Sequence, residues 1–199
     1  MFDKILIANR GEIACRVIKT ARRMGIPTVA IYSDADRDAL HRRMADESVR
    51  VGTPPAAESY LVMDNILEAV AKTGAQAVHP GYGFLSENSA FAESLEGAGI
   101  TFIGPGIKAI TSMGDKITSK KLASDAGVNT IPGFTSTIEG PDHAVEVARE
   151  IGYPVMLKAS AGGGGKGMRI VTSDEEARDG FERAKNEAQS SFGDGRIFA

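Results

Sequence analysis

The segment Ser160-Ala161-Gly162-Gly163-Gly164-Gly165-Lys166-Gly167 carries the most chemical information in the chain. Four adjacent glycines are costly to order and give no side chain to a core, so a use for their bare amides is expected. A run of glycine N–H groups can wrap a phosphate, because no Cβ blocks close approach and each amide turns a partial positive charge toward the anion. Lys158 and Lys166 flank the run and add full charges. The order of residues is not that of a P-loop: Lys166 is followed by Gly167, not by Ser or Thr, and the run joins two expected strands instead of opening a helix. The dinucleotide fingerprint is excluded too, since it belongs after the first strand, where only Gly11 stands. A glycine hairpin with a lysine on its incoming strand fits a lid over nucleotide phosphates. A plain surface turn is the other reading.

Other residues are less specific. His79-Pro80-Gly81-Tyr82-Gly83-Phe84-Leu85-Ser86-Glu87-Asn88 follows an expected strand, where parallel sheets place their ligand sites. It reads either as a shaped pocket wall or as a turn set by Pro80, Gly81 and Gly83, with Phe84 and Leu85 packing and Ser86 or Asn88 capping the next helix. Lys116, in Gly114-Asp115-Lys116, contacts an anion or lies in solvent, and taken alone a helical lysine is read as solvated. Asn9-Arg10-Gly11-Glu12 resembles an anion-binding turn, but Glu12 could equally serve the helix start. No Ser/His/Asp or Cys/His set can be assembled; His41, His79 and His143 are scattered, and His41 and His143 sit among charges as surface residues would.

These residues need elements to position them. Lys4 to Ala8 reads as a strand, Ile13 to Met24 as a helix stopped by Gly25, and Ile26 to Tyr32 as a second strand. Ser33-Asp34-Ala35-Asp36 is expected to cap a helix through Met44. Ser48 to Val51 is a weak strand candidate; Tyr60 to Lys72 is helical, Ala75 to Val78 a strand, Ser89 to Glu96 a helix and Ile100 to Ile103 a strand. The alternation implies a parallel sheet covered on both faces. After Gly104-Pro105-Gly106, residues 107 to 126 are helical with a break near Gly114, and Asn129 to Gly133 connects to a smaller unit. That unit has a helix from about Gly140 to Ile151, two strands (153 to 159 and 168 to 171) joined by the glycine run, and a helix from Asp174 to Gln189.

Composition bounds the rest. With 42% hydrophobic residues in 199, the chain can bury a core, and its charge of −3 from 23 basic and 26 acidic residues has no long basic run for nucleic acid or membrane surfaces. The single Cys15 cannot form an internal disulfide and reads as a buried small apolar residue in a reducing compartment. No stretch approaches the roughly 18 apolar residues of a membrane span, and the opening residues look like neither a signal nor a transit peptide, so a cytoplasmic location is expected.

In order and spacing, Ile7 to Ala14, His79 to Asn88, Met113 to Lys116 and Lys158 to Arg169 together resemble biotin carboxylase, and the resemblance covers essentially the whole chain. Within that family Cys15-Arg16-Val17-Ile18, Asn129 to Phe134 and Ser190 to Asp194 look most like the branch that serves propionyl-CoA; methylcrotonyl-CoA, acetyl-CoA and pyruvate carboxylases share the domain. The resemblance implies an α/β fold: a parallel-sheet, Rossmann-like pre-ATP-grasp domain over 1–113, the start of an ATP-grasp core over 114–131, and its small α+β lid over 132–199. It implies a ligase that uses ATP with magnesium to carboxylate biotin on a carrier domain with bicarbonate, by way of carboxyphosphate. Lys116 and Lys158 would bind ATP phosphates, Gly162, Gly163, Gly164 and Gly165 would form the lid, Met156 and Met168 would flank adenine, and Tyr82 with Gly83 would lie beside biotin. Ala161 and Lys166 stand where some relatives have glycine and arginine. The implied partners are a biotin carboxyl carrier domain and a carboxyltransferase beta subunit in an oligomer, in bacterial cytoplasm or the mitochondrial matrix. In the family the magnesium-binding glutamates, the bicarbonate-binding arginine and the general base follow later, so residues 1 to 199 alone are expected to hold no catalytic residue and not to turn over. Two other readings remain: another ATP-grasp ligase of the carbamoyl-phosphate synthetase kind, and a non-catalytic binding module.

Overall fold

A computed structural model describes residues 1–161 and 165–199, which form two compact units, Met1–Ile110 and Thr111–Ala199. The first holds β1 (Ile5–Ile7), α1 (Gly11–Arg23), β2 (Thr28–Ser33), α2 (Leu40–Met44), β3 (Glu47–Gly52), α3 (Met63–Thr73), β4 (Ala77–His79), α4 (Ser89–Gly97) and β5 (Thr101–Phe102). The strands make one parallel sheet in the order β3-β2-β1-β4-β5. Its central strands are apolar on both sides, so both faces need covering. Leu6, Val29, Ile31 and Val78 point into a core shared with Ile66 of α3 and Phe91 and Leu95 of α4, while Ile5 and Ile7 pack with Ala14, Ile18 and Ala21 of α1. Cys15 is buried in α1.

The chain between β2 and β3 departs from expectation. In place of one capped helix there is a 3-10 turn, Asp34–Asp36, then an extended Ala39 and the short α2. Ser33 makes no capping bond, and the Asp36 carboxylate is taken by Arg10 and Tyr60, so neither is available to start a helix. His41 is also not at the surface: it is fully buried, its Nε2 3.1 Å from the Ile31 carbonyl oxygen. His143 is half-buried, edge-on to Phe134.

Helix α5 (Ile107–Gly114) runs across the boundary, and the second unit continues with α6 (Lys116–Asp125), α7 (Pro141–Ile151), β6 (Val155–Ala159), β7 (Met168–Val171), α8 (Asp174–Phe192) and β8 (Ile197–Phe198). Asp115 is the break near Gly114: its backbone is extended and its side chain caps α6. The three strands form an antiparallel sheet, β7-β6-β8, whose third strand was not foreseen. One face is covered by α7 and α8, with Val155, Leu157 and Ala159 buried against Val145, Ala148, Ala177 and Phe181. Gly180 lets α8 come close, since a Cβ there would lie 2.9 Å from Val171 Cγ1. Ser173 caps α8 and Glu176 reaches back to Thr172.

Candidate functional site

Covering one face of the small sheet leaves the other open. Along β6 the inward residues Val155, Leu157 and Ala159 alternate with Met156 and Lys158, which share the opposite face. Antiparallel pairing sets Met156 opposite Ile170 and Lys158 opposite Met168. Directly opposed residues point the same way, so Met156, Lys158, Met168 and Ile170 form one patch. Met156 stays 36% exposed, Met168 40% and Ile170 66%, and Lys158 is half-buried. Two thioethers and an isoleucine around an ammonium group suit a ligand with a flat apolar body and an anionic tail.

Lys116, at the first position of α6, extends to the strand end, where its Nζ donates to the Ser160 carbonyl oxygen at 3.2 Å. One turn further along, Lys120 is half-buried, and its pKa is pushed down first by burial and then by the Lys158 charge. Gly133 leaves room for it: a Cβ at 133 would sit 2.5 Å from Lys120 Nζ. Like charges held together in a partly buried place are unfavourable, and a bound anion offsets that cost. Neither Lys120 nor Gly133 was singled out from sequence; the four-residue spacing from Lys116 was the available signal.

Of the glycine run, Gly162, Gly163 and Gly164 lie outside the described residues. Gly165 is exposed with φ +85°. Gly167 is buried with φ +65°, its N–H donates to Glu187 Oε2 at 3.1 Å, and its carbonyl oxygen accepts from Ala159 N at 2.8 Å. Arg169 also meets Glu187, at 2.9 Å. Both bonds are made by Gly167, so the trailing end of the run is joined to β6 through Ala159 and to α8 through Glu187.

The remaining predicted residues belong to the first unit. Tyr82 is 63% exposed, and Gly83 takes φ +63° in the turn after β4. That turn is fastened from below. Buried Asn9 donates from Nδ2 to the Pro80 and Tyr82 carbonyl oxygens at 2.8 and 2.9 Å, and a Cβ on Gly81 would strike that amide at 2.7 Å. His79 Nδ1 accepts from Gly81 N at 3.0 Å, and burial holds its pKa below the ordinary imidazole value. Phe84, with φ +44°, stacks on Tyr60 at 5.2 Å, and Asn88 caps α4.

Beside this turn sits a cluster that sequence reading missed. Arg10 grips Asp36 with two bonds, Nε to Oδ2 at 2.5 Å and Nη2 to Oδ1 at 2.7 Å, and Tyr60 donates its hydroxyl to Asp36 Oδ2 at 2.6 Å while accepting from Ser33 N. The Arg10 hydrogen bond is the largest influence on Asp36 and lowers its pKa, against the effect of burial. Among the described residues no group of three or more His, Cys, Asp or Glu side chains could hold a metal ion, and no helix is long and apolar enough to cross a membrane.

Comparison with known proteins gives this geometry its context. Residues 1–110 match the family described as biotin carboxylase, N-terminal domain, and residues 115–199 match the carbamoyl-phosphate synthase L chain, ATP binding domain. The chain is 68% identical over 198 residues to the propionyl-CoA carboxylase alpha chain of Ruegeria pomeroyi, and 67% identical over 196 residues to the mitochondrial one of Rattus norvegicus. It covers 29% and 27% of those two relatives, so it spans less than a third of their length. A crystal structure of the biotin carboxylase domain of Hydrogenobacter thermophilus 2-oxoglutarate carboxylase, in complex with MgADP, ADP and bicarbonate, superposes with a TM-score of 0.96 at 50% identity. That match takes in 100% of this chain and 44% of the other. The chain belongs to the biotin carboxylase family.

Proposed function

We propose that the chain is part of the biotin carboxylase of a propionyl-CoA carboxylase alpha subunit, an ATP-dependent ligase that carboxylates carrier-bound biotin with bicarbonate through carboxyphosphate. Residues 1–113 serve as its pre-ATP-grasp domain, 114–131 as the start of the ATP-grasp core and 132–199 as the lid. The single observation that carries the reading is the open sheet face on which Lys158 stands between Met156 and Met168. The identity to alpha chains across the whole chain, and the relative solved with MgADP and bicarbonate, support it.

On this reading Met156 and Met168 hold the adenine ring, and Lys158 and Lys116 neutralise phosphate oxygens. The amides of Gly162, Gly163, Gly164 and Gly165 close over them. Phosphoryl transfer depends on placing groups and cancelling developing negative charge more than on a protein nucleophile, and lysines and amides supply that. Magnesium bound with the nucleotide would supply further positive charge against the phosphates, beside Lys116 and Lys158. Tyr82, with Gly83 allowing the bend, borders the biotin pocket on the turn that Asn9 fastens. The partners are a biotin carboxyl carrier domain and a carboxyltransferase beta subunit in an oligomer, and the location is bacterial cytoplasm or mitochondrial matrix.

Calorimetric titration with ATP tests the site, on this chain and on the Ruegeria pomeroyi alpha chain with its matched segment replaced by residues 1 to 199. Lys158→Ala should weaken binding by about 2 kcal/mol, roughly thirtyfold, through loss of a charge-assisted contact. Unchanged affinity in both proteins would refute the assignment.

A further inference from the structure

We infer that Asp115 is a positioning residue of the phosphate site, which sets Lys116 in register with Ser160 at the start of the glycine run. The inference rests on the nucleotide site proposed above.

One carboxylate oxygen is enough to cap a helix. Asp115 Oδ1 does so, accepting from Thr118 N at 2.8 Å and Thr118 Oγ1 at 2.9 Å, and Asn or Ser would cap as well. The second oxygen does something a cap does not require. Oδ2 accepts from Ser160 Oγ at 2.9 Å and from Arg196 Nη2 at 3.1 Å, which ties the start of α6 to the end of β6 and to the residue before β8. The next residue, Lys116, donates to the carbonyl oxygen of the same Ser160. Ser160 gives its N–H to the Arg196 carbonyl at 2.9 Å, so its amide, hydroxyl and carbonyl are all engaged, and it is fully buried. Asp115, Ser160 and Arg196 thus close a ring around the residue that leads into the glycines.

A carboxylate close to lysines that gather an anion opposes that anion, so its presence calls for a geometric reason. Arg196 bonds to Asp115 at 3.1 Å and also to Asp194 at 2.6 Å, so it offsets part of the negative charge, not all of it, while leaving the hydrogen bonds in place. Burial acts to raise the Asp115 pKa, but the bonds from Thr118 and Ser160 and the charge of Arg196 outweigh it and bring it to about 2, so the ring stays ionised at neutral pH. The trailing end of the run is held otherwise, by Glu187 on Gly167. The leading end, at Ser160, is bonded to Lys116 and to Asp115.

The test uses the same Ruegeria pomeroyi chimera, with Asp115→Asn and Ser160→Ala made singly. Asn keeps the cap and the volume but sets an amide donor or a neutral oxygen against Arg196; Ala removes only a hydroxyl, so it keeps the test valid if the first variant folds poorly. Affinities for ATP and for adenosine, with kcat and KM for ATP, are read side by side. We expect ATP to bind about tenfold more weakly to each variant and adenosine to stay within about twofold, because only phosphate contacts depend on the register. Parallel losses for ATP and adenosine, or no loss for ATP, would overturn the role of Asp115. An unsubstituted chimera that bound no ATP would instead remove the nucleotide site itself, and the inference with it.

Discussion

One cluster in each unit shows charged groups used in opposite ways. In the first, Arg10, Asp36, Tyr60 and Ser33 spend their hydrogen-bonding capacity on one another, and Asn9 does the same for the turn that bears Tyr82. In the second, Lys158 and Lys120 lie near each other beside exposed methionines, and their like charges repel. A cluster closed on itself fixes a shape and leaves little for a ligand. A cluster of one sign is unfavourable until an anion arrives, which is how a binding surface differs from a structural one.

The contrast can be broken from the closed side first. Asp36→Ala strands Arg10 and the Tyr60 hydroxyl, and we expect it to destabilise the first unit by about 3 kcal/mol in urea unfolding while leaving ATP affinity unchanged. A fall in ATP affinity with no loss of stability would erase the distinction. The ring around Asp115 should then show in acid. Its folded pKa of about 2 lies below the ordinary 3.8, so its contribution of about 2 kcal/mol is complete above that ordinary value and is lost as pH falls through 2. Unfolding curves of Asp115→Asn and the parent chain should differ at pH 6 and converge at the acid end.

Lys120→Ala comes next and sharpens the open side. It should lower ATP affinity by about 1 kcal/mol, roughly fivefold, and leave stability within about 0.5 kcal/mol, as expected for relief of a like-charge contact. Equal or tighter ATP binding would take Lys120 out of the site. The smallest effect concerns His41, whose pKa burial depresses despite the backbone bond to Ile31 and the charge of Asp36. Its neutral form is favoured in the folded state, so stability is full above the ordinary imidazole value and declines as pH drops through it. His41→Gln should flatten that slope between pH 7 and 5 in thermal melts.

Local signals made much of this legible. Gly25 and Gly74 end α1 and α3 with positive φ, apolar periodicity marks α1 and α7, and alternation along 155–159 sets Lys158 and Met156 apart from the core residues between them. What was not legible depends on distant partners. Asp36 reads as a helix cap until Arg10 and Tyr60, 26 and 24 residues away, are seen to claim it. His41 reads as a surface residue because Arg42 and Arg43 follow it, yet its ring turns inward to Ile31. The two residues of β8 are too few for periodicity. Lys120 became a site candidate only through the place the fold gives it beside Lys158.

Gly167 carries a consequence for inheritance. Its φ of +65° disfavours any side chain, and a methyl there would lie 2.7 Å from that of Ala159, so two independent obstacles guard a single codon. A missense change at this position would therefore deplete the protein in the cell before it slowed any reaction.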